Sequence, residues 1–253
     1  MNFNFEQLNY TVTRSHDAQK DRFTNHVHTF YEMLFIYRGK GRFLIEDTEY
    51  EFNDNTLFLI PPGKYHVLQK PPEKNYERCF LYFPSSLLPA PLEKKLSLQR
   101  QTDERVCELF DKMEAYSEKY SGQALYSLFC AFITEVLVSV VFDESDKITH
   151  TSVPVLVKNT IEYINSNLDK ELSAQSIADA MFVSCAYLGH IFSDTMNTGL
   201  MHYVTIKKMY KARSMIRKGA SAREASEALG YKSYPTFWRN YKAHFGKSPS
   251  EEI

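Results

Sequence analysis

A chain of 253 residues with 43% hydrophobic and 24% charged residues has the composition of a soluble globular protein and is long enough for two domains. Its net charge of −1 excludes a general electrostatic attraction to nucleic acid. The charge is uneven, however: residues 1–150 carry 17 Lys and Arg against 22 Asp and Glu, whereas residues 151–253 carry 13 against 9. The basic excess of the second part permits contact with nucleic acid but does not require it.

Signals for compartment and membrane indicate a cytoplasmic protein without a membrane partner. The four cysteines are scattered, with no Cys-x-x-Cys pair, as expected of reduced core residues. The N-terminal MNFNFEQLNY lacks the basic-then-apolar pattern of a secretion signal. The apolar stretch 125–142 contains Glu135 and barely reaches bilayer length, so we expect a helix of a soluble protein there.

Residues 10–83 predict short β-strands. Segments such as EMLFIY, GRFLIE, TEYEF, NTLFLI and ERCFLYF are rich in aromatic and β-branched residues, and turn-forming or proline-rich breaks separate them. Many short strands at this spacing predict a sandwich or a small barrel.

Two stretches of this strand region supply three histidines and a glutamate. His26, His28 and Glu32 lie in HVHTFYE, and His66 follows in PPGKYH. Three imidazoles and one carboxylate suit a divalent metal. Two interpretations stay open for these residues alone: a bound metal, and a structural cluster in which His28 and Glu32 bond to each other.

Helical periodicity begins near residue 102. Residues 102–120 carry apolar side chains on one face and charges on the other, and residues 123–142 predict a second, mostly apolar helix. Residues 142–152 are charged and then rich in Ser and Thr, and Pro154 follows. We place a domain boundary there.

The rest of the chain predicts six helices and no strand, over 154–167, 173–181, 184–196, 199–218, 221–229 and 233–245, with N-terminal caps at Ser173, Ser184, Ser221 and Ser233. The stretches SCAYLGHIF and SYPTFWRNY share a serine followed by apolar residues one helical turn apart, at an offset of 49 residues. Each follows another short capped helix. The repeat predicts two helix-turn-helix units, and a plain helical bundle is the alternative at this stage.

The stretch ALGYKSYPTFWRNYKAHFGKSP, residues 228–249, resembles the second-unit signature of the AraC-type transcriptional regulators. The first unit resembles that family more loosely, through IADAMFVSCAYLGHIF. Gly230 and Gly246 fall where a helix must stop and a positive φ is needed. Asn197 takes the corresponding place in the first unit, and Asn tolerates that conformation next best after Gly.

The resemblance implies that helices 184–196 and 233–245 each enter a major groove, about one DNA turn apart. By position it implies base contacts from Ala186, Gly189 and His190 in the first unit and from Tyr234, Pro235, Thr236 and Arg239 in the second. Arg239 can make the commonest specific contact, a bidentate one to guanine. The first unit offers only His190 as a strong polar reader, and Asp194 nearby would repel phosphate. We therefore expect weaker sequence readout from the first unit.

Five lysines are candidates for contact with the DNA backbone, with a solvated helix face as the alternative for each: Lys207, Lys208, Lys211, Lys242 and Lys247. The only tryptophan, Trp238, lies between Phe237 and Arg239. We expect it to pack at the edge of the domain, and contact with the DNA backbone is the alternative.

The histidine stretches resemble the cupin barrels. His26-x-His28-x3-Glu32-x6-Gly39 is similar to their first motif, and Pro61-Pro62-Gly63-x2-His66 is similar to their second, although Asn55 and Lys70 replace its leading glycine and trailing asparagine. In cupin enzymes the four side chains bind iron, manganese or zinc, whereas in regulators the barrel mouth usually holds a small effector, often without metal. We expect His26, His28, Glu32 and His66 to bind an effector without a cofactor, and a divalent metal on the same residues is the alternative.

Together these features predict an α+β chain with a cupin-like antiparallel β-barrel for effector sensing in 1–98, a helical linker and dimerisation segment in 99–150, and an all-α DNA-binding domain with two helix-turn-helix units in 151–253. The expected function is that of a sequence-specific transcription regulator controlled by a small-molecule effector, not an enzyme. Expected partners are double-stranded DNA, the effector, RNA polymerase and a second copy in a homodimer. The alternative is a metal-dependent cupin oxygenase or isomerase with a helical C-terminal domain.

Overall fold

The computed structural model describes residues 2–5, 8–14, 27–69, 76–88, 98–102, 104–141 and 150–252. The strands found there are β1 (Asn2–Phe5), β2 (Leu8–Arg14), β3 (Tyr31–Arg38), β4 (Gly41–Ile45), β5 (Thr48–Phe52), β6 (Thr56–Ile60), β7 (His66–Leu68), β8 (Glu77–Phe83), β9 (Leu98–Gln101) and β10 (His150–Ser152). The helices are α1 (Glu104–Lys119), α2 (Gly122–Val141), α3 (Val155–Ser166), α4 (Ala174–Ala180), α5 (Cys185–Met196), α6 (Leu200–Arg217), α7 (Ala222–Ala228) and α8 (Tyr234–Phe245). Strands in the first part and helices in the second confirm the predicted α+β class.

The strands pair antiparallel in two sheets that pack face to face, a unit that we call the barrel. One sheet has the order β1-β2-β8-β3-β6-β9 and the other β10-β5-β4-β7. Side chains alternate along β3, so that Leu34 and Ile36 lie in the core between the sheets, whereas Met33 and Phe35 lie on the opposite face. Strand β10, which pairs with β5, was not predicted.

Helices α1 and α2 cover the outer face of the six-stranded sheet. The ring of Phe110 in α1 stacks on Phe35 with centroids 4.5 Å apart. From α2, the buried residues Phe129, Ile133 and Val136 join the same core. By length and apolarity alone Gly122–Val140 is also a candidate membrane span, with a mean hydropathy of 1.6. The most apolar face of this helix packs against the six-stranded sheet and α1.

The predicted helix starts in the second part are explained by side-chain caps. Ser173 and Ser221 each form a capping box, and Ser184 accepts the backbone N–H of Tyr187. The predicted cap at Ser233 is wrong in this detail, because its side chain makes no capping hydrogen bond. Helix α8 instead has proline in its first turn, where the missing N–H costs nothing.

The expected left-handed helix ends are present. Asn197 ends α5 with a φ of 52°, and Gly246 ends α8 with a φ of 73°. Gly230, after α7, has a φ of 67°. These residues stop the helices at the positions that the two-unit interpretation requires.

The two parts of the molecule share one hydrophobic core. Leu44 and Val67 of the four-stranded sheet belong to the same buried cluster as Leu188 and Phe192 of α5. The outer face of this sheet therefore packs on the first helix-turn-helix unit.

Candidate nucleic-acid interface and histidine–glutamate cluster

Helix α5 has one side buried in the domain core and the opposite side exposed. Leu188, Phe192 and Met196, each one turn from the next, are fully buried. Ser184 holds the first turn through a 3.2 Å bond from the Tyr187 N–H to its Oγ. The exposed side of α5 is thus presented by a rigid support.

The predicted contact residues of the first unit lie on this exposed side. Ala186 and His190 are exposed, and Gly189 is half-buried. His190 Nδ1 lies 3.8 Å from Asp194 Oδ2, and both side chains are largely exposed. At that exposure the attraction is weak, and the carboxylate still faces any approaching phosphate. The weaker readout expected of this unit stays a prediction.

The second unit presents a stronger set of side chains. The exposed residues of α8 include Tyr234, Pro235 and Arg239, and Thr236 is half-buried. Phe237 and Tyr241 hold the helix from the opposite side, because both are fully buried. Nη2 of Arg239 lies 3.5 Å from Thr236 Oγ1, so the two predicted base readers are neighbours. The exposed guanidinium can reach a groove, as its predicted role requires.

Lys242 and Trp238 form a pair at the edge of this surface. Lys242 is exposed, and its Nζ lies 5.1 Å from the centroid of the Trp238 ring, which is half-buried. A cation over an indole face is favourable and still leaves the ammonium hydrated. Lys242 follows Arg239 by three residues and therefore lies on the same side of α8. Its phosphate contact remains a prediction.

The prediction that Lys207 contacts phosphate is wrong for this arrangement of the chain. Lys207 is only 9% exposed. Its Nζ donates to Glu46 Oε1 and to the carbonyl oxygen of Gly63, both at 2.7 Å. Both acceptors belong to the first part of the molecule, so Lys207 faces the sheet and not solvent.

Lys208 is likewise a structural residue and not a phosphate contact. Its Nζ donates to the carbonyl oxygens of Lys170 at 2.6 Å and Leu229 at 2.7 Å, which joins the two helix-turn-helix units. Burial lowers the pKa of Lys208, against the raising effect of nearby Glu171. Among the other candidates Lys211 is exposed, whereas Lys247 Nζ lies 3.2 Å from Glu252 Oε1.

Tyr187 is an exposed residue of α5 that the sequence interpretation did not name. It is 55% exposed and precedes His190 by one helical turn. The 49-residue offset of the repeat carries Thr236, a predicted base reader, onto Tyr187. Applying the offset strictly would have identified it.

Three of the four predicted effector residues meet inside the strand domain. His28 Nε2 lies 2.8 Å and His66 Nε2 lies 3.0 Å from the same oxygen, Oε2 of Glu32. Glu32 and His66 are buried, and His28 is mostly so. His26 lies outside the described residues, so its predicted place in the cluster is untested.

The remaining ring nitrogens define the chemistry of this cluster. Nδ1 of His28 donates to the Phe30 carbonyl at 2.7 Å, and Nδ1 of His66 donates to the Lys64 carbonyl at 2.9 Å. A carbonyl only accepts, so each Nδ1 carries a proton, and in the neutral ring Nε2 is then a bare lone pair. Two lone pairs directed at one carboxylate oxygen repel it, so the arrangement needs either an additional proton on each ring or a cation between the rings and the carboxylate. The three ligand atoms lie within 4.8 Å of one another, close enough to share one ion. The residues present therefore fit a divalent metal.

The carboxyl of Glu32 is held in its charged form. Burial acts to raise the pKa of Glu32, but the hydrogen bonds and charges of His28 and His66 outweigh it and keep that pKa well below its usual value. The Glu32 carboxylate is therefore a fixed negative charge between the two histidine rings.

Two family models match this chain. The one described as the AraC-like ligand binding domain matches residues 10–126, and the one described as a helix-turn-helix domain matches residues 177–252. They fall on the strand domain with its covering helices and on the helical domain, respectively.

Proteins similar to this chain include bacterial regulators. The chain is 23% identical to the uncharacterized HTH-type transcriptional regulator YfiF of Bacillus subtilis, over 88% of this chain and 76% of that protein. It is 24% identical to the Msm operon regulatory protein of Streptococcus mutans, over 87% of this chain and 83% of that protein. The crystal structure of ToxT from Vibrio cholerae aligns over 97% of this chain and 96% of that chain, with a TM-score of 0.39 and 13% identity.

Proposed function

The chain belongs to the AraC-type transcriptional regulators, with an AraC-like ligand-binding domain ahead of a helix-turn-helix domain, and on this premise we propose that one chain reads two consecutive major grooves with α5 and α8. The observation that carries the proposal is the repeated unit. Both helices bury one side, and the residues at equivalent positions of the two repeats lie on the other, exposed side. In such a pair each helix supplies base contacts, and the connecting helix sets their separation.

The residues proposed to contact DNA are those carried over from the family and found on the outer sides of the two helices: Ala186, Gly189, His190, Tyr234, Pro235, Thr236, Arg239 and Lys242. Arg239 supplies most of the base discrimination through guanine, and Thr236 meets a thymine methyl group. Lys242 contacts phosphate and positions the helix without reading sequence.

The effector is proposed to be a small polar molecule that contacts the histidine–glutamate cluster. A cavity of 380 Å³ opens beside His28, with Gly63 on the same side and Lys207, Tyr210 and Lys211 of α6 on the other. That volume suits a molecule of roughly sugar size. Because its walls carry cations and hydroxyls, the effector bears an anionic group or several hydroxyls.

The metal-free form of the cluster is proposed as the working state, and metal analysis tests it. Purified full-length protein, prepared without chelators, is expected to contain well below one iron, manganese or zinc per chain. His66→Ala is expected to remove the response to effector while the protein still binds DNA, because His66 is not among the proposed DNA contacts.

A full equivalent of metal that is lost in His66→Ala would contradict the metal-free proposal and favour the second candidate, a metal-dependent cupin enzyme. In that case His28, Glu32 and His66 would hold the ion, which would supply Lewis-acid or oxygen chemistry. The observation that favours this candidate is the pair of Nε2 atoms directed at one carboxylate oxygen.

Homodimerisation, contact with RNA polymerase and a cytoplasmic location are further parts of the proposal. The expectation of a dimer rests on the apolar composition of helix α2. The buried residues of this helix pack within the chain. The exposed Val138 leaves only a small apolar surface there. Sedimentation that shows a monomer at all micromolar concentrations would contradict the dimer.

Selection of bound DNA from a random pool tests the proposed function. The full chain is expected to enrich a bipartite motif whose two parts are centred about 10 base pairs apart, one helical turn. Enrichment of no sequence, or of one undivided motif, would contradict it.

A further inference from the structure

We infer that Glu46, a residue of the barrel, positions the first helix-turn-helix unit for DNA readout and leaves readout by the second unit unaffected. The inference rests on the proposed function, because it assumes that α5 and α8 read DNA. It assigns to Glu46 one target in the DNA-binding domain, the first helix-turn-helix unit, and with it a route by which the effector acts on one half-site.

Glu46 is fixed by the barrel that carries it. It lies in the turn between β4 and β5 with a left-handed φ of 53°, which is uncommon for a residue with a side chain. Its backbone N–H donates to the Tyr65 carbonyl at 2.8 Å, and its Oε1 accepts the Tyr65 N–H at 2.7 Å. Glu46 as a whole is only 6% exposed. Contacts within the barrel therefore fix the position of Glu46 without any contribution from α6.

From that position the carboxylate binds two residues of α6 that lie one helical turn apart. Tyr203 donates its hydroxyl to Glu46 Oε2 at 3.0 Å, and Lys207 donates its ammonium to Oε1 at 2.7 Å. All three side chains are buried. A buried ion pair has a strict geometry, because each charge loses its water and depends on the other. The pair thus fixes the first half of α6 against the barrel.

The same contact extends to the reading helix. Tyr65 donates its hydroxyl to the Met196 carbonyl at 2.9 Å, and Gln69 donates its amide to the Thr195 carbonyl at 2.7 Å. These are last-turn carbonyls of α5, which have no partner within a helix. Barrel side chains therefore hold the C-terminal end of the first reading helix, and the four residues that Glu46, Tyr65 and Gln69 bind in these hydrogen bonds lie on α5 or α6.

The segment that makes these contacts also carries the effector cluster. Gly63 accepts from Lys207 and donates its N–H to the His28 carbonyl at 2.8 Å. Tyr65 immediately precedes His66, whose ring faces Glu32. A shift at the cluster therefore moves the atoms that hold α5 and α6, which gives occupancy of the cluster a direct physical effect on the first unit.

The test compares half-site contributions in full-length variants. DNA selected by the wild type is used intact and with either half scrambled, and the half read by α8 is identified as the one where Arg239→Ala loses its preference. The first-half ratio is the affinity for intact DNA divided by the affinity for DNA whose α5 half-site is scrambled, and it measures what α5 contributes to binding. In Glu46→Gln this ratio is expected to fall about 5-fold or more. The ratio for the second half is expected to stay at the wild-type value.

Two further variants complete the design. Tyr65→Phe removes only the hydroxyl that binds the Met196 carbonyl, and it is expected to lower the first-half ratio by less than Glu46→Gln does. It also serves if Glu46→Gln does not fold. Glu51→Gln changes an exposed glutamate of the same hairpin and is expected to leave both ratios unchanged.

The inference would be overturned if a folded Glu46→Gln or Tyr65→Phe protein had the same first-half ratio as the wild type. Equal losses at both half-sites would also overturn it, because they would indicate general destabilisation and not positioning of one unit. If the wild type selects no sequence, the proposed function itself fails, and this outcome is distinguishable because it appears before any variant is measured.

Discussion

Gly230→Ala is expected to lower the free energy of unfolding of the DNA-binding domain by about 3–5 kcal/mol. A Cβ at this position would lie 2.5 Å from the carbonyl carbon of Lys170 and 2.7 Å from the carbonyl oxygen of Asp169. These are backbone atoms and cannot rotate away. The φ of 67° adds the cost of a left-handed conformation. Denaturant unfolding followed by circular dichroism measures the loss.

Gly246→Ala is the matched control for this substitution. Its φ is 73°, but an added Cβ would meet no atom within 4 Å. Only the conformational cost remains, about 1–2 kcal/mol. Equal losses in the two variants would show that the close approach of Gly230 to residues 169–171 does not occur.

Arg239→Ala is expected to abolish the preference for one base pair of the selected motif, at a cost of about 1–3 kcal/mol for that sequence. The guanidinium is exposed beside Thr236, so its loss leaves the helix core unchanged. Affinity for unrelated DNA should fall only by the loss of one charge. Titration of intact and point-substituted DNA measures both quantities.

Lys242→Ala provides the contrast, because a phosphate contact carries no sequence information. It is expected to weaken binding uniformly across sequences and to reduce the salt dependence of binding. If Arg239→Ala also weakened all sequences equally, its guanidinium would be a backbone contact and the assignment of base readout to α8 would be wrong.

The sequence predicted the helical domain well because its signals are local. Serine caps and left-handed stops are properties of a few adjacent residues, and the structure places α5 and α7 within one residue of the predicted ends. Asn197 shows this clearly, since the identity of one residue indicated where α5 ends.

The roles of Lys207 and Lys208 could not be predicted, because their partners are remote in sequence. Lys207 binds Glu46, 161 positions away, and Lys208 binds the Lys170 carbonyl, 38 positions away. Helical periodicity assigns a residue to a face, but α6 is covered on most sides, by the barrel and by both units. The same limit applies to β10, which forms only because β5 offers an edge.

Hydroxyl-radical footprinting of the full chain on its selected DNA tests most directly whether α5 and α8 occupy consecutive major grooves. Two protected segments about 10 base pairs apart on one face of the duplex are expected. In Arg239→Ala, the segment bound by α8 is expected to lose protection before the segment bound by α5 as the protein concentration is lowered. A single protected segment, or two segments on opposite faces, would contradict the proposed arrangement of the two helices.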